Sequence, residues 1–535
     1  MFNVRATFLT FSLLLTLHFA VSSSAQSAQL KSDWNSFQKD PSAFMATPPV
    51  KTATGPQKQL KSRFSQQEIR SRAFVERKVL ERKANFKRLN DSATNGSRSN
   101  FDNRHPQSTV SAFAFLEMNE FSNRHLMPVT TLQEIDNANL RNGAIETQPW
   151  SGSYWPLYQG GLAARYASED FNRASTTWKS SYDFIQKAGG LAPVLTRADA
   201  EEIDELSPAE KYDLLIGLAP QESEDALGNL TSAMWLEGSA YRARNGTVEP
   251  WMGYCHGWAP ASLMDARPVR RVEAPVADSK LKLQFYPSDL KALSTLLWAK
   301  GDFQNSFIGG RCNEKSPKTD PDSGRLLNKD CFDVDPGIWH LIVVNQVGLL
   351  RRGLVIDATY DYQVWNQPLF NYKITYFNPQ TGRATEKLKT AAVELQKFSK
   401  DKFKKFRNAD TVSVVGAEMT IQYATETEPS HKVTDSLKDD GVQTVSYIYD
   451  LELNAAGEII GGEWYQNAHP DFLWMPQTGQ RPSTSGDSEV PGRNSWTPAQ
   501  PLPVFWRDIA RKSAASHGEP VAKIVEALLL DSSAN

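Results

Sequence analysis

Hydrophobic and polar positions divide the chain into stretches of different texture. Behind a single charge at Arg5, residues Phe8 to Val21 are almost unbrokenly apolar, and the run ends in Ser22-Ser23-Ser24-Ala25. Small residues at Ser23 and Ala25 fit a cut before Gln26, so residues 1–25 read as a secretory signal peptide. A membrane anchor is the alternative, but the run is short of the ~20 apolar residues of a span, and no other stretch approaches that length. From Gln26 to about residue 110 the chain is polar, with Pro48, Pro49 and Pro56 early and an Asn/Ser/Asp/Arg-rich stretch later, and it reads as linker. Within it, Ser65 to Leu89 has helical spacing, with Ile69, Phe74, Leu80 and Phe86 along one side and basic residues elsewhere. This is either a pro-segment covering an active site or a basic surface helix.

Residues 111–475 carry the periodicities of a folded domain. Gly160 to Ala167, Trp178 to Ala188 and Pro208 to Leu215 predict helices, the last entered through Ser207 with Glu210 in its first turn. Pro287 to Lys300 predicts another. Beyond it the texture changes to runs of β character at Trp339 to Val347, Gly353 to Tyr360, Tyr372 to Phe377, Asp410 to Tyr423, Thr444 to Leu453 and Glu458 to Trp464. Leu453 to Gly457 is a hairpin turn. Residues 476–503 read as loop, and 504–535 as closing helices, Phe505 to Ser516 and Pro520 to Leu530. Helices first and an antiparallel sheet afterwards make the fold class α+β.

Composition alters this picture at two points. Fourteen tryptophans and 40% hydrophobic residues imply an aromatic-rich core, and a net charge of -2 gives no reason to expect a nucleic-acid partner. Three cysteines in an exported chain matter more, because an oxidising compartment pairs cysteines and leaves an odd one to explain. Cys312 and Cys331 flank a polar loop that a disulfide would close, worth roughly 3 kcal/mol in the loop-entropy picture. Cys255 is then the free thiol, with a bridge from Cys255 to one of the others, or to a second chain, as the alternative.

Cys255 lies in Trp251-Met252-Gly253-Tyr254-Cys255-His256-Gly257-Trp258, where a loop hands over to a short helix whose N-terminus favours a thiolate. A buried core cysteine is the plain alternative. A nucleophilic thiol needs a base and a group to orient it. Of eight histidines, His340 and His469 remain once those in the leader, the N-terminal region and polar surroundings, and the badly angled neighbour His256, are set aside. His340 sits in an expected strand, and Asp357 is an acid inside the next apolar strand, where it calls for a partner. Adjacent antiparallel strands would bring the two together. Cys255, His340 and Asp357 thus form the expected triad, arranged as in papain and transglutaminases, with a helix-borne cysteine facing a sheet that bears histidine and aspartate. His469 is the competing base or a substrate contact. The indoles of Trp251 and Trp258 are candidate oxyanion donors, with core packing as the alternative for each.

The segment Val364-Trp365-Asn366-Gln367-Pro368, with Asn371-Tyr372-Lys373 after it, resembles the surface peptide of the transglutaminase elicitor family. The Cys-His-Gly-Trp at Cys255 and the stretch from Gly462 to Trp474 are similar to that family as well, a resemblance covering about Trp150 to Trp474. It implies a secreted, calcium-dependent protein-glutamine gamma-glutamyltransferase with Cys255 as nucleophile, His340 as base and Asp357 as orienter. It also implies protein or peptide substrates bearing Gln and Lys, and recognition through Val364 to Pro368. For calcium the sequence offers Asp320, Asp322, Asp333 and Asp335, in a spacing that matches no known calcium loop, so a solvated acidic loop is the competing reading. A cysteine peptidase or amidase with the same triad, and a non-catalytic recognition protein on the same scaffold, are the alternative functions. The expected location is secreted or periplasmic.

Overall fold

The computed structural model describes residues 108–188, 203–217, 229–314, 316–328, 331–332, 334–359, 362–490 and 496–534. The expected signal peptide and the basic stretch of Ser65 to Leu89 lie outside them. The helices that build the first core are α1 (Pro208–Leu215), α2 (Asn229–Asn245), α3 (Cys255–Met264), α4 (Pro287–Lys300), α6 (Val504–His517) and α7 (Ala522–Ser533). At α1 the start signals act as their chemistry predicts: Pro208 takes the first turn, the Ser207 hydroxyl accepts from Glu210 N, and the Glu210 carboxylate accepts from Ser207 N at 2.9 Å. Gly257 lets α3 and α4 touch, since a Cβ there would lie 2.2 Å from the Thr295 carbonyl oxygen.

The sheet is antiparallel at every pairing. Its strands are β1 (Asn305–Gly309), β2 (Leu354–Asp357), β3 (Asn366–Phe377), β4 (Ser413–Thr425), β5 (Gly441–Leu453), β6 (Ile459–Trp464) and β7 (Phe472–Pro476), in the order β6-β5-β4-β3-β2-β7-β1, with short side strands on β3 and β4. Because strand side chains alternate, the sheet is a wall between two cores. Val355 and Trp474 face the α3/α4 core, whereas Leu354, Ile356, Leu473 and Met475 face a second core with Tyr372, Tyr376, Tyr447 and Tyr449. Toward β4 and β5 the first face becomes wet, with the Thr420 and Ser446 hydroxyls paired at 2.8 Å on an exposed surface.

The second core is filled by α5 (Pro336–Val343), which continues as a wider π-type turn over Val344–Leu349. The expected strand at Trp339 to Val347 is therefore a helix. Asp335 caps it by accepting from Gly337 N and Ile338 N, and Pro336 occupies its first position. Asp-Pro-Gly reads equally as a turn, and a short run buried on all sides carries no period to separate helix from strand. His340 consequently rides on a helix rather than on the sheet.

Cys312 and Cys331 form the disulfide, and Cys255 is free and buried. The bridged loop also has polar ties of its own, among them Lys405 Nζ to Asp320 Oδ2 at 2.5 Å. Replacing both bridged cysteines with serine is expected to lower stability by roughly 3 kcal/mol, read as an earlier midpoint in urea; an unchanged midpoint would mean those polar ties suffice. No helix among the described residues is long and apolar enough to cross a membrane.

Candidate active site

The local sequence leaves α3 little choice about where it begins. Gly253 must lack a side chain, since a Cβ would stand 2.4 Å from the Tyr154 carbonyl oxygen, and Tyr254 N donates to that oxygen at 2.5 Å. Cys255 is then the first helical residue, at the end of the helix dipole that favours negative charge.

Sheet register supplies what faces it. Asp357 at the end of β2 pairs directly with Asn366 at the start of β3, and directly opposed residues project from the same face. That face is the one on which α3 packs. Asn366 Nδ2 donates to Cys255 Sγ at 3.5 Å, and the thiol donates to the Val364 carbonyl at 3.7 Å. The Asn366 amide cannot flip freely, because its Oδ1 accepts from Trp474 Nε1 at 2.8 Å.

Asp357 is held on one side only. Its Oδ1 accepts from Trp365 N at 2.9 Å, Thr359 N at 3.2 Å and Thr359 Oγ1 at 2.8 Å, while Oδ2 is buried without a hydrogen-bond partner. Burial pushes its carboxyl up to about 7 against those bonds and the pull of the Arg311 charge. Burial likewise pushes the Cys255 thiol up to about 11, tempered by the Asn366 hydrogen bonds and reinforced by the charges of Glu426 and Asp357. Arg311, itself buried, donates to the Tyr362 carbonyl in the loop between β2 and β3.

The structure brings together Cys255 and Asp357 of the expected triad and separates His340 from both. His340 lies in the second core, its Nδ1 2.9 Å from Tyr449 Oη and its Nε2 3.2 Å from Tyr376 Oη. Burial holds its imidazole down to about 3. The sheet stands between it and the thiol. His340→Leu is expected to cost about 1–3 kcal/mol by stranding the two tyrosine hydroxyls, with Cys255-dependent turnover per folded molecule within about twofold of the parent. A large loss of turnover with an unchanged melting temperature would return the imidazole to the reaction.

The other expected contacts are also engaged elsewhere. Trp251 Nε1 donates to Glu249 Oε2 at 2.6 Å and Trp258 Nε1 to the Trp150 carbonyl at 3.3 Å, so neither indole is offered to a substrate. His469 stacks on Trp464 with ring centroids 4.9 Å apart. Val364 to Pro368 is not a surface peptide: Val364, Asn366, Gln367 and Pro368 are buried, because the segment opens a strand and lines the thiol. Of the candidate calcium donors, Asp320, Asp322 and Asp335 lie among the described residues. Asp320 is taken by Lys405, Ser323 N and Ser323 Oγ, Asp335 by the start of α5, Asp322 stands 3.6 Å from Lys405 Nζ, and Asp333 lies outside the described residues. Among the described residues no three acidic, His or Cys side chains gather as a metal site.

Comparison with known proteins adds three findings. The family model described as "Transglutaminase elicitor" matches residues 120–490. The chain is similar in structure to the GP42 transglutaminase from Phytophthora sojae, at 20% identity and a TM-score of 0.46, covering 78% of this chain and 99% of that one. No curated protein matches.

Proposed function

Because the chain belongs to the transglutaminase elicitor family, we propose that it is a secreted protein-glutamine gamma-glutamyltransferase acting through a thioester at Cys255. The observation that carries this reading is the free cysteine at a helix start, with the Asn366 amide fixed on its sulfur and the Asp357 carboxyl on the same face. With the carboxyl near 7 and the thiol near 11, a free thiolate is rare, so proton transfer accompanies attack.

Once substrate displaces the Val364 carbonyl, Asp357 takes the thiol proton by way of one water as sulfur bonds to the glutamine Cδ. The resulting oxyanion is met by the Asn366 Nδ2 donor and the first N–H groups of α3. The C–N bond breaks, Asp357 returns its proton to the leaving nitrogen, and ammonia departs. A neutral primary amine then attacks the thioester carbon and gives a proton to Asp357. The C–S bond breaks, and the thiolate recovers that proton. Asp357 is thus a base in its own right, and no histidine takes part.

The burial of Cys255, 3% exposed, favours one other reading, a recognition protein that keeps the scaffold without turnover. The deciding assay is incorporation of a fluorescent primary amine into a glutamine-rich protein, with ammonia release followed in parallel. Incorporation supports the transferase, ammonia without incorporation an amidase, and neither the recognition reading.

A further inference from the structure

A buried arginine ties the disulfide loop to the segment that covers the thiol. Arg311 lies two residues past the end of β1 and directly before Cys312, and it is 2% exposed. Its backbone is fixed on both sides: Gly310 N donates to the Asp471 carbonyl at 3.3 Å, Cys312 N donates to Asp471 Oδ2 at 2.9 Å, and Cys312 is bridged to Cys331. From this anchored stretch the guanidinium lies over the Trp251 ring, 5.8 Å from its centroid, and donates to the Tyr362 carbonyl. Holding a full charge out of water costs several kcal/mol unless its surroundings compensate. What this one meets is the machinery around Cys255.

The Val364 carbonyl accepts from the thiol, Trp365 N donates to Asp357 Oδ1 at 2.9 Å, and Ala358 N donates to the Trp365 carbonyl at 3.0 Å. The segment from Tyr362 to Trp365 thus covers the nucleophile and sets the base. Tyr362 is where it is held. Besides the Arg311 bond at its carbonyl, its hydroxyl donates to Glu249 Oε2 at 3.1 Å and its ring meets that of Trp251 edge-on at 6.0 Å. Arg311 also acts on Asp357 through space, since its positive charge favours the carboxylate. Cys255 on α3 and Tyr447 on β5 feel the same carboxylate, and burial keeps both protonated at neutral pH, so neither adds a negative charge beside it.

We propose that Arg311 is a positioning residue for the reaction, clamping Tyr362 to Trp365 against the thiol and the base and placing a fixed positive charge near the Asp357 carboxylate. The inference rests on the acyl-transfer reading above. With the clamp in place, the Val364 carbonyl returns to the sulfur after each turnover, and Asp357 keeps the Trp365 N–H that orients its Oδ1. A guanidinium suits both tasks, with a planar fork of N–H donors for the carbonyl and a charge that does not titrate. The Cys312–Cys331 bridge steadies the base of the clamp.

Two measurements on the full chain test it. Cys255 is the one unpaired cysteine, so its alkylation by iodoacetamide without substrate reads the cover directly. Arg311→Gln and Arg311→Lys are each expected to quicken that reaction about tenfold at pH 8, the second because an ammonium lacks the planar fork. The pH profile of kcat/KM for amine incorporation separates charge from clamp. Its acid limb, near 7 in the parent, is expected to move up by about one unit in Arg311→Gln and to stay in place in Arg311→Lys. Because Arg311→Lys keeps the buried charge, it tests the clamp even where Arg311→Gln fails to fold. Alkylation of Arg311→Lys at the parent rate, an unmoved limb in folded Arg311→Gln, or a limb that moves equally in both overturns the proposal. Absence of any turnover in the parent defeats the acyl-transfer reading instead, and alkylation still decides the clamp.

Discussion

Cys255→Ala is expected to reduce amine incorporation to background, a loss of roughly 10⁴-fold or more, as deletion of a nucleophile does elsewhere. No second group can replace it. The other two cysteines are locked together in the Cys312–Cys331 bridge, and the Asn366 amide that meets the thiol has no nucleophilic character. The fold should tolerate the change, since only one atom leaves a site bounded by Asn366, Val364 and the helix start. The informative comparison therefore pairs activity with the melting temperature of the same preparation. Incorporation above a few per cent of the parent in a folded variant would end the thioester mechanism.

Asp357→Asn should produce the second largest effect, and of opposite sign for activity and stability. Removing the base is expected to lower kcat/KM by about 10²–10⁴-fold. In the parent, kcat/KM should rise with pH through about 7, where the carboxyl ionises, and that limb should disappear in the variant. Stability runs the other way. The folded carboxyl titrates higher than the unfolded one, so its contribution is fully present below the unfolded value near 4 and is lost as pH rises through about 7. The parent should lose a few kcal/mol across that window and the asparagine variant should not. At pH 8 the inactive variant is expected to melt above the parent. A variant that melts lower at pH 8 and keeps the acid limb would remove Asp357 from both roles.

Cys255 and Asp357 were legible because each breaks a local rule: a thiol left over in an otherwise paired set, and an acid inside an apolar strand. Asn366 was within reach of sequence as well. It stands in the segment that carries the family resemblance, and once β2 and β3 are paired, strand parity puts it opposite Asp357. His340 was misplaced for an equally local reason. Ile338 to Val344 is buried throughout, and a run with no polar face fits a strand or a helix until Asp335 is seen to cap it. That one ambiguity moved the imidazole to the far side of the sheet. Arg311 and Glu426 gave no sequence signal, since each reaches the site through contacts more than 50 residues away in the chain. The hairpin strands β5 and β6 and the cap of α1 were readable because their signals lie within a few residues.

The seal over the sulfur also sets how long the protein lasts. A thiol near 11 under the Val364 carbonyl is about one part in 10⁴ thiolate at pH 7, and oxidants and disulfides attack the thiolate. In the oxidising surroundings that the Cys312–Cys331 bridge tolerates, the nucleophile would age slowly while idle and become vulnerable chiefly when substrate displaces that carbonyl. Working life would then be counted in turnovers rather than in hours.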